Sequence, residues 1–349
     1  MQYPRFAGTD RPATPSPRAQ ARRRHLLGLL LAATLAAAPG LAAAQGLTLG
    51  LISTGTPEAT KAAWQPLADA LSRAMNAPVT MVSSKNYAEI TQGVKSGAIQ
   101  VAWVNNRMAI ELVEAGSALV FAQMVRTDGT RGYKSILLAR KESPVKTLDD
   151  VMAKPGAFTL AIGDKKSTSG YLVPNYFIFA KRKVDPARHF KAITSGSHRE
   201  NFNTLAAGKA DLAINNTEEV PRYQAEQAAD WAKVQVIWES PLIPNDPLVM
   251  RKDLPGVTQD RLRRFFATYG QGGGAEKATL KAINGLSGFG ASGDHQLRPI
   301  VDLEMFEAMT RLMNDPSKTP EQVTAAMGEL SRRAAKLDTA MSASRYLGQ

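Results

Sequence analysis

The sequence contains no cysteine among its 349 residues. A chain without thiols forms no disulfides, no thiolate metal sites and no cysteine nucleophile. It also lacks the cysteine to which a lipid anchor would be attached. These absences exclude a small disulfide-stapled scaffold and leave the fold to a hydrophobic core, for which 44% apolar residues are sufficient.

Long apolar runs are confined to the N-terminal segment. Arg22-Arg23-Arg24 precede an apolar run from Leu26 to Ala38, and Ala42-Ala43-Ala44 matches a small-residue cleavage site. Because this run is too short to span a bilayer permanently, residues 1–44 are predicted to be a cleaved secretory signal peptide, with the mature chain starting near Gln45. A retained anchor is the alternative, and both the twin-arginine and the general secretory route stay open.

The positive charge of the chain is concentrated in the same segment. The formal net charge is +12, and residues 1–44 hold six Arg and one Asp, a net +5, so that +7 remains on the rest. The only dense basic run left is Lys181-Arg182-Lys183. A nucleic-acid groove is therefore not expected, and the remaining charge indicates a mild preference for anionic ligands.

Short apolar, β-branched runs alternate with helix-length segments in two series. This rhythm is typical of parallel α/β sheets. One of the intervening segments places Trp64, Leu67, Leu71 and Met75 on one helical face. The predicted strands are Leu47–Ser53, Val79–Val82, Val101–Asn105, Leu119–Val125, Leu160–Ile162, Ala192–Ser195, Leu212–Asn215 and Val234–Trp238.

Two segments between the series look like crossings from one half of the molecule to the other. They are Tyr133–Arg140 and the proline-rich run from Ser240 to Pro247. Two crossings predict two α/β lobes with a cleft between them, and ligands of open α/β sheets bind at the carboxyl ends of the strands. The predicted divisions are residues 45–140 for lobe 1, 141–240 for lobe 2, 241–317 for the return to lobe 1, and 318–349 for a C-terminal helix.

The C-terminal helix carries an apolar stripe with a 4-3 spacing. The stripe consists of Val323, Met327, Leu330, Ala334, Leu337 and Met341. Such a spacing is typical of a/d seams. We expect either that the helix packs on its own lobe or that it forms a homodimer contact.

Small hydroxyl residues stand where a predicted strand leads into a predicted helix. The run from Asp164 to Gly170, which contains Ser167-Thr168-Ser169, follows the strand-like Thr159–Gly163. A helix start offers unpaired N–H groups and the positive end of the helix dipole, which favour an anion. Ser and Thr are also ordinary helix caps, so the tract alone leaves both interpretations open.

Other polar side chains recur at predicted strand ends in both halves. Any one of them could be a simple turn or helix-start residue, but their repeated placement indicates a ligand site in the cleft. They are Tyr87, Asn105, Asn106, Tyr133, His198, Asn215, Asn216, Thr217, Glu218 and Asp246.

Motifs of catalysis are absent from the sequence. It has no G-x-S-x-G, P-loop or H-E-x-x-H, and nothing in the spacing favours a triad of Ser167 and His198 with a carboxylate. We therefore expect no catalytic residues and no enzyme activity. A ferric site built from Tyr, His, Glu and Asp is a separate alternative, although the hydroxyl tract adds nothing to it without a companion anion.

Several long motifs resemble the phosphonate-binding periplasmic proteins of ABC importers. They are Asp164 to Pro174 (DKKSTSGYLVP), Asn215–Glu218 (NNTE), Ser240–Pro247 (SPLIPNDP), Gly50–Thr54 (GLIST) and Tyr87–Gly93 (YAEITQG). Their common order, from about Leu47 to the C-terminal helices, makes the resemblance specific.

The resemblance implies a type II periplasmic-binding-protein fold of two hinged lobes, with extra C-terminal helices. It implies that the hydroxyls of Ser167 and Thr168, with Ser169 close by, hold the phosphonate oxygens at a helix N-terminus, with Tyr87, Tyr133 and His198 as further donors. Glu218 and Asp246 are implied as the pair that receives the ammonium of 2-aminoethylphosphonate. It further implies a periplasmic receptor that delivers a small phosphonate to an inner-membrane ABC permease and has no metal or cofactor.

Two departures from the family pattern concern the ligand. Val104 stands where relatives are expected to carry a polar aromatic residue, and Lys134 stands where they tend to carry Trp. An extra cation at Lys134 would favour a more acidic or an unsubstituted ligand. Phosphite and phosphate therefore remain alternatives to an alkylphosphonate.

Overall fold

The structure is a computed structural model that describes residues 46–130 and 132–346. The predicted signal peptide at residues 1–44 lies outside the described residues. In the part that is described, no helix combines the length and the apolar character needed to cross a membrane.

The described chain alternates strands and helices throughout, as the sequence predicts. The strands are β1 Leu47–Ile52, β2 Val79–Ser84, β3 Val101–Trp103, β4 Ala118–Arg126, β5 Gly132–Tyr133, β6 Ser135–Arg140, β7 Thr159–Ile162, β8 Ala192–Ser195, β9 Leu212–Asn216, β10 Val234–Glu239, β11 Ile243–Pro244, β12 Pro247–Arg251 and β13 Leu286–Ala291. The α-helices are α1 Pro57–Met75, α2 Tyr87–Ser96, α3 Asn106–Glu114, α4 Leu148–Met152, α5 Pro186–His189, α6 His198–Ala206, α7 Val220–Glu226, α8 Ala228–Trp231, α9 Gly256–Thr268, α10 Gly274–Asn284, α11 Arg298–Met313 and α12 Pro320–Tyr346. Wider π-helical turns at Thr168–Leu172 and Asn175–Phe179 are followed by a 3₁₀ turn at Ala180–Arg182, and a second 3₁₀ turn lies at Asp294–Leu297.

Helix α1 shows how local sequence sets these elements. The Thr56 hydroxyl accepts a hydrogen bond from the backbone of Ala59 at the N-terminus, and Asn76 ends the helix in the left-handed region at φ 50°. Both are common end signals. The predicted apolar face is confirmed, since Trp64 and Leu67 are buried. Burial of each such side chain contributes about 2 kcal/mol.

Six strands form the first sheet, called sheet A, in the order β13-β4-β12-β3-β1-β2. Strands β1, β2 and β3 are parallel, but β12 is antiparallel to both β3 and β4, and β13 is antiparallel to β4. The parallel rhythm predicted from the sequence thus holds for β1, β2 and β3, while β12 and β13 run antiparallel to their neighbours. The cause is topological, because β12 comes back from a distant part of the chain and inserts between β3 and β4.

Five strands form the second sheet, called sheet B, in the order β10-β6-β9-β7-β8. Strands β7, β8 and β9 are parallel, whereas β6 is antiparallel to β9 and β10. Apolar clusters cover both sides of this sheet, one around Leu160 and Phe179 and another around Phe202 and Tyr223. The α/β class predicted from the sequence is thus present in both sheets.

The two chain segments that pass between the sheets pair with each other. Strands β5 and β11 form a separate antiparallel ladder in which Tyr133 faces Ile243. A Cβ atom at Gly132 would lie 2.1 Å from the Ile243 carbonyl oxygen, so the approach requires glycine. Strand β6 already pairs within sheet B. The first passage between the sheets therefore ends before Ser135, whereas the predicted boundary of lobe 1 lies at Arg140.

The C-terminal helix α12 lies against the rest of the chain. Leu337 and Met341 on its apolar stripe are buried, and Leu330 and Ala334 are half-buried against the sheet A core. This packing follows the first of the two expectations for the stripe. A homodimer contact through the same helix stays a prediction.

Candidate functional site

The predicted anion tract begins a helical segment directly after β7. Ser167 is the cap, and its hydroxyl oxygen accepts a hydrogen bond from the backbone N–H of Gly170 at 2.9 Å. The first turn is π-helical, with the Leu172 N–H donating to the Ser167 carbonyl at 3.1 Å. Wide turns of this kind are frequent at functional sites, and the start of the turn directs N–H groups outward. The cap predicted at Ser167 is therefore present, and the anion site predicted for the same tract would use the N–H groups of this helix start.

Two glycines bring the strand end and the helix start into close contact. A Cβ atom at Gly163 would lie 2.7 Å from the Gly170 Cα, and one at Gly170 would lie 2.8 Å from the Ser167 hydroxyl oxygen. A Cβ at Gly170 would also lie 3.2 Å from the His198 ring. The chain therefore needs Gly170 for clearance around the tract.

We expect Gly170→Ala to weaken binding of every anionic ligand of this site by about tenfold or more, since the new methyl group displaces the Ser167 hydroxyl from its hydrogen-bonding position. Isothermal titration measures this loss. Gly156→Ala is the matched control, because a Cβ there meets nothing within 4 Å although φ is positive. The control is expected to lose some stability and no affinity. Equal affinities in the two variants would contradict the assignment.

Residues from both sheets enclose a small central cavity. It holds about 10 Å³ of free space, room for one water molecule. Seven of the eight predicted ligand residues line it: Tyr87, Tyr133, Ser167, Ser169, His198, Glu218 and Asp246. The other lining residues are Ile52, Thr54, Trp103, Asn105, Asn216, Glu219 and Asn284. Among these described residues there is no lysine or arginine.

Thr168, the eighth predicted residue, lies behind the cavity wall. Its hydroxyl accepts a hydrogen bond from the backbone N–H of Arg107 at 3.0 Å and donates to the Asn105 amide oxygen at 3.3 Å. The side chain is fully buried. Its hydroxyl therefore joins the anion tract to the start of α3.

The wall around the tract supplies neutral hydrogen-bonding groups. The Ser169 hydroxyl lies 3.4 Å from His198 Nε2 and accepts a hydrogen bond from the Asn216 amide at 3.4 Å. Burial raises the pKa of Tyr87 far above its usual value and lowers that of His198. At neutral pH the phenol keeps its proton and the imidazole is uncharged. His198 Nδ1 is buried without a partner among the described residues.

The opposite wall carries carboxylates. Burial first, and then the charge of Glu218, raises the pKa of Asp246 well above its usual range. Tyr133 donates its phenolic hydrogen to Asp246 at 3.0 Å. Trp103 is close enough to lower the Asp246 pKa, although its indole N–H makes no hydrogen bond of regular geometry.

Glu218 is the second carboxylate of this wall. Burial raises its pKa to about 7, the guanidinium of Arg126 opposes that rise, and Glu219 adds to it. A positive charge placed between two such carboxyl groups would favour their ionised forms.

Sequence reasoning missed several residues here. Arg126, at the end of the apolar strand β4, donates to Glu218 at 3.1 Å. Trp103 and Glu219 also line the cavity. Glu219 could have been found from the sequence, because it adjoins the predicted Glu218 at the start of α7.

Lys134 does not face the cavity, since its ammonium donates to Glu239 at 2.7 Å on an exposed surface. The extra cation suggested by the sequence is therefore not part of the site.

Two open pockets adjoin the cavity. One of about 300 Å³ shares Thr54, Trp103 and Asn284 with it. The other, of about 410 Å³, shares Tyr87, Ser167 and His198 and is bordered by the Lys85–Glu200 ion pair of 2.7 Å. Segments that flank sheet A and segments that flank sheet B contribute to both pockets, with Thr54 and Arg199 in the first and Lys85 and Gly196 in the second.

Comparison with known proteins identifies the family. Residues 49–297 match the family model described as "ABC transporter, phosphonate, periplasmic substrate-binding protein". The chain is 35% identical over 294 residues to the phosphonates-binding periplasmic protein of Escherichia coli (strain K12), covering 84% of this chain and 86% of that protein.

Solved structures show the same fold. The binding protein component of an ABC phosphonate transporter from Pseudomonas aeruginosa superposes with a TM-score of 0.79 at 37% identity, over 85% of this chain and 98% of that one. A Prochlorococcus marinus protein in complex with methylphosphonate has a TM-score of 0.67 at 18% identity, over 74% and 97%, a likeness of fold. The predicted periplasmic-binding-protein fold is confirmed. The chain belongs to the family of periplasmic substrate-binding proteins of phosphonate ABC transporters, which bind a phosphonate and work with a membrane permease.

Proposed function

We propose that this protein binds 2-aminoethylphosphonate, or another small alkylphosphonate, in the cavity between sheets A and B and delivers it to the permease. One observation carries the proposal. A helix start with three hydroxyl residues and a pair of buried carboxylates lie on opposite walls of one cavity, and no described lysine or arginine lines it. Such a cavity is matched to a ligand that is anionic at one end and cationic at the other.

At the anionic end, Ser167 and Ser169 are proposed to donate to phosphonate oxygens. The Gly170 N–H already donates to the Ser167 oxygen, so the Ser167 hydrogen is available for the ligand. Tyr87 and His198 add donors on the same side, and the helix dipole favours the negative charge. Hydrogen bonds to an ionised group in a dry site are strong. Thr168 is proposed to act here through its position at the helix start, because its hydroxyl already has two partners.

At the cationic end, Glu218 and Asp246 are proposed to receive the ligand ammonium. The charge of Glu218 makes ionisation of Asp246 more costly, so an ammonium group between them relieves the repulsion. Tyr133 holds Asp246 in place through its hydrogen bond. A site of this kind rejects ligands that leave its charged groups unpaired.

Binding is proposed to require motion of the two sheets. The cavity has room for about one water molecule rather than for a phosphonate, so its walls are proposed to separate to admit one. We propose that residues 45–140 and 241–317 form one lobe and residues 141–240 the other. Strand β6 is the exception, because it precedes residue 141 but belongs to sheet B. The paired β5 and β11 are the proposed hinge. In this reading the protein performs no chemistry on its ligand.

Calorimetric titration of the mature protein with 2-aminoethylphosphonate, methylphosphonate, phosphite and phosphate tests the proposal. We expect the aminated ligand to bind most tightly. Preference for phosphite or phosphate would assign the site to an inorganic oxyanion instead. Failure of all four to bind below about millimolar, a weak affinity of about −4 kcal/mol, would contradict the proposal.

A ferric-ion carrier draws little support from the site. No group of three or more His, Asp or Glu among the described residues is placed to hold a metal ion, and burial raises the pKa of both Tyr87 and Tyr133, which opposes the tyrosinate form that a ferric site needs. Addition of ferric ion is therefore expected to produce no visible tyrosinate-to-iron absorption band. Appearance of that band would favour the carrier and exclude Tyr87 and Tyr133 as phosphonate donors.

A further inference from the structure

We infer that Arg126 is a positioning residue that pairs with Glu218 from outside the cavity and thereby sets the preference for aminated phosphonates. The inference rests on the proposed function. Neither the sequence motifs nor the cavity lining includes this arginine, and the contact that carries the inference is a buried ion pair between residues of the two sheets.

The geometry separates the pair from the ligand surface. Arg126 is the last residue of β4 in sheet A, and Glu218 follows β9 in sheet B. Arg126 Nη1 donates to Glu218 Oε1 at 3.1 Å, and the two side chains are 10% and 7% exposed. The other oxygen, Oε2, accepts no hydrogen bond from the described residues. The carboxylate can therefore keep its arginine and still offer Oε2 to an ammonium group.

The charges around Glu218 make this arginine necessary. Glu219 adjoins it at the start of α7, and Asp246 faces it from the segment before β12. Arg222 on α7 contributes positive charge, but it lies 3.6 Å from Glu219 and 4.0 Å from Glu226. The phenol of Tyr133 and the imidazole of His198 are neutral. Arg126 is thus the cation that hydrogen-bonds Glu218.

The sign of the effect follows from the burial of Glu218. Burial raises its pKa to about 7 even though Arg126 lowers it. Without Arg126 that pKa would rise further, and at pH 7 more of the carboxyl would be protonated and neutral. A neutral carboxyl attracts no ammonium group, while the phosphonate end of the site is unchanged. At higher pH the carboxyl ionises again.

The test compares 2-aminoethylphosphonate with methylphosphonate, and each variant is compared with the wild type at the same pH so that the titration of the ligands' own phosphonate groups cancels. Arg126→Met removes the charge, Arg126→Gln is a second neutral variant, and Arg126→Lys retains a cation. At pH 7 we expect the neutral variants to lose about tenfold of the preference for the aminated ligand, a change of about 1.4 kcal/mol. We expect methylphosphonate affinity to be unchanged. The preference should recover by pH 9, and Arg126→Lys should keep most of it.

Three results would overturn the inference. One is an undiminished preference in both neutral variants, and another is an equal loss for both ligands at every pH, which indicates a structural role. A third is wild-type protein that binds both phosphonates equally, since there is then no preference to set. Wild-type protein that binds neither ligand contradicts the proposed function itself and is recognised before any variant is measured.

Discussion

Asp246→Asn is expected to abolish the advantage of 2-aminoethylphosphonate over methylphosphonate. The change keeps the shape of the side chain and its ability to accept the Tyr133 hydrogen, but removes one negative charge from a buried wall. Loss of one partner of a buried charge pair costs about 2 kcal/mol or more, roughly 30-fold in affinity. Methylphosphonate has no ammonium group, so its affinity should change by less than about threefold.

The same pair makes binding of the aminated ligand proton-linked. In the free site, burial raises the pKa values of both carboxyls; the charge of Glu218 adds to the rise at Asp246, and the charge of Glu219 adds to the rise at Glu218, whose pKa reaches about 7. An ammonium group favours the ionised forms and so lowers these values on binding. At pH 7 the aminated ligand should therefore release protons that methylphosphonate does not, and its advantage should fall as the pH drops below about 7.

Titration in buffers of different ionisation enthalpy measures the released protons directly. Glu239→Gln is the matched control, because Glu239 is an exposed carboxylate paired with Lys134 and is not among the residues that line the cavity. It should leave both affinities and the proton release unchanged. If Asp246→Asn keeps the full preference, or if both ligands weaken together, the ammonium lies elsewhere and the carboxylate pair has a structural role.

Features governed by local chemistry could be predicted from the sequence. The cap at Ser167 and the buried face of α1 follow from residue types at fixed spacing, and both are where the spacing places them. The outward direction of Lys134 could also be predicted, because the side chains of neighbouring residues in an extended segment point to opposite sides and Tyr133 points inward.

Features that depend on distant parts of the chain could not be predicted. Arg126 ends an apolar strand with no polar pattern around it, and only the fold brings it to Glu218, far along the chain. The insertion of β12 into sheet A has the same origin. The hydrogen bond from the Arg107 N–H of α3 to the Thr168 hydroxyl likewise joins segments that only the fold brings together.

Ser169→Ala is expected to weaken all phosphonate and phosphate ligands to a similar degree. Its hydroxyl lies between His198 and Asn216 on the cavity wall and is assigned to a ligand oxygen that all these anions share. A hydrogen bond to a charged group contributes about 1.5–3 kcal/mol, so affinity should fall by roughly 10- to 150-fold. The ratio of affinities between aminated and unaminated ligands should stay constant.

Ser167→Ala should act in the same way and also reduce stability, because it removes the cap of the helical segment. Thr147→Ala separates the two effects. Thr147 caps α4 in the same manner but is exposed and lies outside the cavity lining, so its loss should cost about 1 kcal/mol of stability and no ligand affinity. Thermal unfolding and titration of the three variants distinguish these outcomes. The phosphonate oxygens are common to all these ligands. A serine variant that weakened the binding of only one ligand would therefore show that the serine contacts the substituent of that ligand instead of a shared oxygen.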